Sequence, residues 1–136
     1  IYEKLDRFIK ENSDFTFSYI GQHRNSFRNT NIVSPMFGKK LGRELSKYNV
    51  YISASEYENC PNHILESLAC GIPTYSLSGN RGAASAGLVG KDFVYDDWDN
   101  LKKILLTKKF NNNHEHKISS WEGIMRKYFK IYKGDV

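Results

Sequence analysis

The chain has 136 residues, of which 40% are apolar and 26% charged, and its net charge is +5. That length is the natural size of one domain with a real core, and the composition is that of a globular protein, not of a disordered or fibrous one. No apolar run approaches the roughly 20 residues that span a bilayer, so a transmembrane helix is not expected.

The chain opens IYEKLDRFIK, a charged amphipathic pattern without the apolar core of a signal peptide. It also lacks an initiator Met, which leaves room for a longer polypeptide. Tyr2, Leu5, Phe8 and Ile9 fall at helical spacing and predict a helix over residues 1–12. Asn12, Ser13 and Asp14 end it. Phe15, Phe17 and Tyr19 alternate with small polar residues and predict a strand that Gly21 closes. Residues 22–31 are polar. Ile32 and Val33 read as a short strand, and residues 34–38, SPMFG, read as a turn. Leu41, Leu45 and Tyr48 then lie along a basic helix.

Residues 50–53 are the next strand, with consecutive apolar positions as expected where both faces are covered. Residues 54–61 form a loop. A helix is predicted from about Asn62 to Cys70, with Asn62 as N-cap, Gly71 in the left-handed position past its end, and Pro73 beyond. Residues 74–77 are a strand, residues 83–88 a short helix, and residues 93–95 a short strand. Asp96 and Asp97 precede a helix carrying Trp98, Leu101, Ile104 and Leu105 on one face. A last amphipathic helix is predicted over residues 118–132, with Trp121, Met125, Tyr128 and Phe129 on its apolar stripe.

Strands and helices thus alternate, and parallel strands need crossovers of this length. The expected fold class is α/β with a Rossmann-like, doubly wound parallel sheet. In such sheets ligands bind beyond the carboxyl ends of the strands. The loops after residues 50–53 and 74–77 lie at such ends.

The positive charge is concentrated at Lys39-Lys40, Lys102-Lys103 and Lys108-Lys109. These pairs read first as solvated helix faces, and then as attraction to an anionic membrane surface or a phosphorylated ligand. No nucleic-acid-binding motif accompanies them, so no nucleic-acid partner is expected. Cys60 and Cys70 form no metal-type pair, and His63 does not complete a ligand set; two free thiols and no metal are expected. His114 and His116 lie in an Asn-rich stretch that reads as a solvated linker.

The chemistry concentrates in residues 50–78. On the helix that starts near Asn62, Ile64, Leu65, Leu68 and Ala69 share one face, and Glu66 lies about 130° from its centre. Glu66 therefore points away from the core. Glu58 sits on the loop before the helix. A helix N-terminus carries partial positive charge and suits a phosphate, while carboxylates accept hydrogen bonds from paired hydroxyls. An anion site flanked by carboxylates matches a sugar nucleotide. The same residues also fit an ordinary exposed helix face, with Cys60 and Pro61 only shaping the turn.

Glu58, seven residues, Glu66 and then SLACGIP at residues 67–73 resemble the signature of retaining GT-B glycosyltransferases of the family 4 type. YIGQ at residues 19–22 and SWEGIMRKYFKIY at residues 120–132 are similar to flanking elements of the same enzymes, so the likeness extends over most of the chain. The resemblance implies one half of a GT-B fold, with residues 1–136 forming the single C-terminal domain that binds the nucleotide sugar. It implies a hexosyltransferase that moves a sugar from a UDP-, GDP- or ADP-sugar to an acceptor hydroxyl with retention. Glu58 would be catalytic and contact the donor sugar. Glu66 would bind the ribose hydroxyls. Asn59, Cys60, Pro61 and Asn62 would face the sugar and diphosphate, and Ser34, Pro35 and Met36 would lie near the base. Gly21 would allow close approach of the ligand.

The chain departs from the family in having Asn59-Cys60 where Gly-Phe is usual, and in lacking the common Glu within residues 79–85. The diphosphate-binding Arg and Lys and the N-terminal acceptor domain would precede Ile1, so residues 1–136 alone are expected to bind donor weakly and to be inactive. No cofactor is implied beyond the substrate. The acceptor would be a glycan or a lipid-linked sugar, and the enzyme cytoplasmic, with the inner face of an anionic membrane as a place of peripheral contact. Other readings are a non-catalytic nucleotide- or partner-binding module, and an inverting GT-B relative or nucleotide-sugar epimerase.

Overall fold

The computed structural model describes residues 1–22, 27–57, 61–78 and 84–110. Five α-helices, five strands and one 3-10 turn, at Lys91–Phe93, follow one another along them. Helix α1 (Tyr2–Glu11) leads to β1 (Ser18–Ile20) and β2 (Asn31–Val33). Helix α2 (Gly38–Leu45), β3 (Tyr51–Ser53), α3 (Asn62–Ala69) and β4 (Thr74–Leu77) follow. Then come α4 (Ala84–Val89), β5 (Val94–Tyr95) and α5 (Trp98–Thr107). The helix predicted over residues 118–132 lies outside the described residues, as do His114 and His116.

The architecture is mixed α/β with two small parallel sheets. One pairs β1 with β2; the other has the order β3-β4-β5. The ladder of β1 starts at Ser18 and not at Phe15, where the alternation begins. Phe15 and Phe17 spend their side chains on α1: Phe8 meets Phe15 at 5.3 Å and Tyr2 stacks on Phe17 at 6.2 Å.

The main core joins α1 and α5 to one face of the three-stranded sheet. Leu5, Phe8, Tyr75, Tyr95, Leu101 and Leu105 are its buried members. Ile64 and Leu68 of α3 pack with Val89 and Val94. The alternation of β4 explains the division. Tyr75 enters the main core, whereas the Thr74 hydroxyl meets Ser67 of α3 at 2.9 Å.

Asp6 couples α1 to the chain that enters β2. Its buried carboxylate accepts from the Arg28 and Asn29 amides, the Asn29 side chain and the Thr30 hydroxyl. Burial alone would push this carboxyl up. The hydrogen bonds outweigh it and hold Asp6 at about 2.

Candidate functional site

The first turn of α3 positions the site. Ile64 and Leu68 are buried, and Ser67 donates to the Ile64 carbonyl, so one face of the helix is fixed against β4. Asn62 and Glu66 are left exposed on the other side. Pro61 occupies the N-cap position; its carbonyl accepts from the Ile64 and Leu65 amides, and no side chain caps the helix. The expectation that Asn62 caps α3 is therefore corrected. With Pro61 in that place, Asn62 becomes the first helical residue and its side chain turns outward.

A cleft of about 460 Å³ opens against this turn. Asn62, His63 and Glu66 line one side. Gly21, just past the end of β1, and Tyr51 of β3 also line it, and Pro35, Met36 and Phe37, in the segment that leads into α2, give it an apolar wall. Gly21 has φ +131°, a conformation that side chains rarely adopt, although a Cβ there would meet only Tyr19 at 3.9 Å. The need for glycine is thus conformational and not a matter of space.

His63 is held from the sheet side: its Nε2 lies 3.0 Å from the buried Ser53 hydroxyl. Its ring also stands 6.2 Å from that of Tyr51. Burial chiefly, then Tyr2 and the Glu66 carboxylate, push the Tyr51 phenol well above its usual range, so Tyr51 stays a neutral hydroxyl. The cleft therefore combines an apolar wall, one carboxylate, an amide, an imidazole and the positive end of a helix dipole. These groups can accept from hydroxyls and receive an anion at the same time.

Of the residues expected from sequence, Gly21, Pro35, Met36, Asn62 and Glu66 line this cleft together. Ser34 is exposed and Pro61 buried, and neither lines it. Glu58, Asn59 and Cys60 lie outside the described residues. Tyr51, His63 and Phe37 were not foreseen as site residues. The signal for His63 was its place one position after Asn62 at a strand-end helix start.

Among the described residues no group of three or more His, Cys, Asp or Glu is arranged to hold a metal ion. Cys70 is a free thiol, pushed up first by burial and then by Glu66. No helix among the described residues is long and apolar enough to cross a membrane. Comparison with protein-family models, curated proteins and solved structures finds no match.

Proposed function

We propose that this chain is the donor-binding domain of a retaining glycosyltransferase, and that the cleft against α3 takes the nucleotide part of a nucleotide-diphosphate sugar. The observation that carries this reading is convergence. Gly21, Pro35, Met36, Asn62 and Glu66 come from separate segments and line one cleft at the end of β1 and the start of α3. The Glu-x7-Glu motif supplies Glu66 to that cleft, and Glu66 is free of the core.

In this reading Glu66 accepts from the ribose hydroxyls, because a carboxylate offers two oxygens to a vicinal pair. Pro35, Met36 and Phe37 give the base an apolar face. The α3 N-terminus meets the diphosphate charge and stabilises the leaving group as it departs. Glu58 contacts the donor sugar from the loop ahead of α3. The two small sheets belong to one doubly wound sheet, half of a GT-B fold. Transfer to an acceptor hydroxyl, acceptor recognition and any membrane contact belong to the complete enzyme.

Calorimetric titration with UDP-, GDP- and ADP-sugars tests the reading. One of the three is expected to bind, with Glu66→Gln weakening it at least tenfold, on the order of the 1.4 kcal/mol that a charge-assisted hydrogen bond exceeds. Lys102→Ala, at an exposed position of α5, should leave binding unchanged. No binding by any of the three, or equal binding by Glu66→Gln, removes the nucleotide assignment and favours a partner-binding module.

A further inference from the structure

A second cleft, of about 330 Å³, separates β1 from β3. It runs through the level of the sheets. Leu5, Phe8 and Leu105 line it from the α1 and α5 side, and Leu45, Tyr48 and His63 from the side of α2 and α3. No ladder joins its two edges among the described residues.

The backbone on both edges is directed into it. In β1 the Phe17 carbonyl and the Gly21 amide bond to β2. Strand alternation then turns the N–H and C=O of Ser18 and Ile20 the other way, towards the cleft. In β3 the Tyr51 amide bonds to Pro73, beside β4, so the N–H and C=O of Ile52 face the cleft. The next amide on that side, Ala54, donates to the Tyr2 hydroxyl at 3.1 Å, which stands where a neighbouring strand would offer a carbonyl. Tyr2 spans the cleft: its ring packs edge-on against Tyr19 in β1 at 5.6 Å, and its hydroxyl reaches Ala54 just past β3.

We infer that this cleft is a strand slot: it takes one extended, apolar polypeptide strand, which pairs with the open edges of β1 and β3 and joins the two sheets into one. Only a peptide backbone matches alternating N–H and C=O groups on two facing edges. A lipid tail or an aromatic ligand would fill the apolar volume and leave those groups buried without partners, which is costly. A strand inserted there sits about 4.8 Å from each edge and is covered on both faces by the apolar side chains already present, the setting of a central strand. Unpaired edges beside apolar surface are the usual template for such strand addition. The slot adjoins the nucleotide cleft and shares Ile20, Leu45, Tyr51 and His63 with it, but its lining carries no carboxylate, whereas the nucleotide cleft has Glu66.

The test is amide hydrogen exchange by NMR on the isotopically labelled chain, with a capped peptide of Ile and Val residues between terminal lysines. At tenfold excess over its dissociation constant, the peptide should slow exchange of the Ser18, Ile20 and Ile52 amides together by about tenfold. Exchange at Ile32, on β2, serves as the reference and should not change. The same peptide N-methylated at alternate residues should fail on one edge while keeping its apolar side chains. Three results overturn the slot. The first is strong protection of Ser18, Ile20 and Ile52 before peptide is added, which means that the edges close on each other. The second is peptide binding that N-methylation leaves intact. The third is equal protection by a non-ionic detergent. Because the probe carries no nucleotide, failure here leaves the nucleotide reading standing, and failure of sugar-nucleotide titration leaves the slot standing.

Discussion

Asp6 is ionised and surrounded by donors, and its titration has a direction that can be measured. Its folded value of about 2 lies below the ordinary 3.8, so the unfolded chain takes up the proton first as pH falls. The stabilisation is complete above pH ~4 and is lost as pH falls towards ~2. Asp6→Asn keeps the shape but places an amide against N–H donors. It should cost about 1–2 kcal/mol at pH 7 and flatten the loss of stability between pH 4 and 2, as measured by urea unfolding across that range. An unchanged slope would mean that the carboxylate is not the group that titrates. Nothing in the sequence announced this role. An acid on an amphipathic helix looks solvated, and its partners lie at Arg28, Asn29 and Thr30, far along the chain. Glu66 was legible for the opposite reason. Its neighbours on α3 fix which way it points, and helical geometry alone places it opposite Ile64 and Leu68.

At the level of elements, local chemistry set most of the boundaries. Gly71 has φ +69° past the end of α3, as its position before Ile72 and Pro73 suggested. Asp97 caps α5 by accepting from the Asn100 amide at 2.8 Å. Asp97→Ala should therefore lower stability by about 1 kcal/mol in thermal or urea unfolding, the usual loss when a capping side chain is removed. An unchanged midpoint would mean that Asp97 does not hold the start of α5. The start of α3 was misread because Asn and Pro compete for the same junction. Pro61 takes the N-cap, its carbonyl accepting from the Ile64 and Leu65 amides, so Asn62 falls inside the helix and lines the cleft. Strand ends were less legible. Alternation reports a half-buried extended chain, but only a partner strand makes a ladder, and residues 15–17 find aromatic contacts with α1 instead.

At the level of the molecule, the two sheets should differ in stability. In the three-stranded sheet, β4 lies between two partners, and Thr74, Tyr75 and Ser76 are buried. Among the described residues the β1-β2 pair has no third strand, and Ile32 is 45% exposed. Much of its attachment runs through α1, whose Leu5 and Phe8 belong to the main core while Asp6 holds residues 28–30. Local opening should therefore release β1-β2 before β3-β4. Two amides report the first event: Gly21, bonded to Val33, and Asn31, bonded to Phe17. Tyr51, bonded to Pro73, reports the second. Native-state exchange should be faster at Gly21 and Asn31 than at Tyr51, and Asp6→Asn should speed the first pair more than the last. Identical exchange at all three sites, moving together in the variant, would show instead that both sheets open as one cooperative unit. Filling the cleft between β1 and β3 with a peptide strand should narrow the difference, since the pair would then share a ladder with the sheet it now reaches through α1 and side-chain packing.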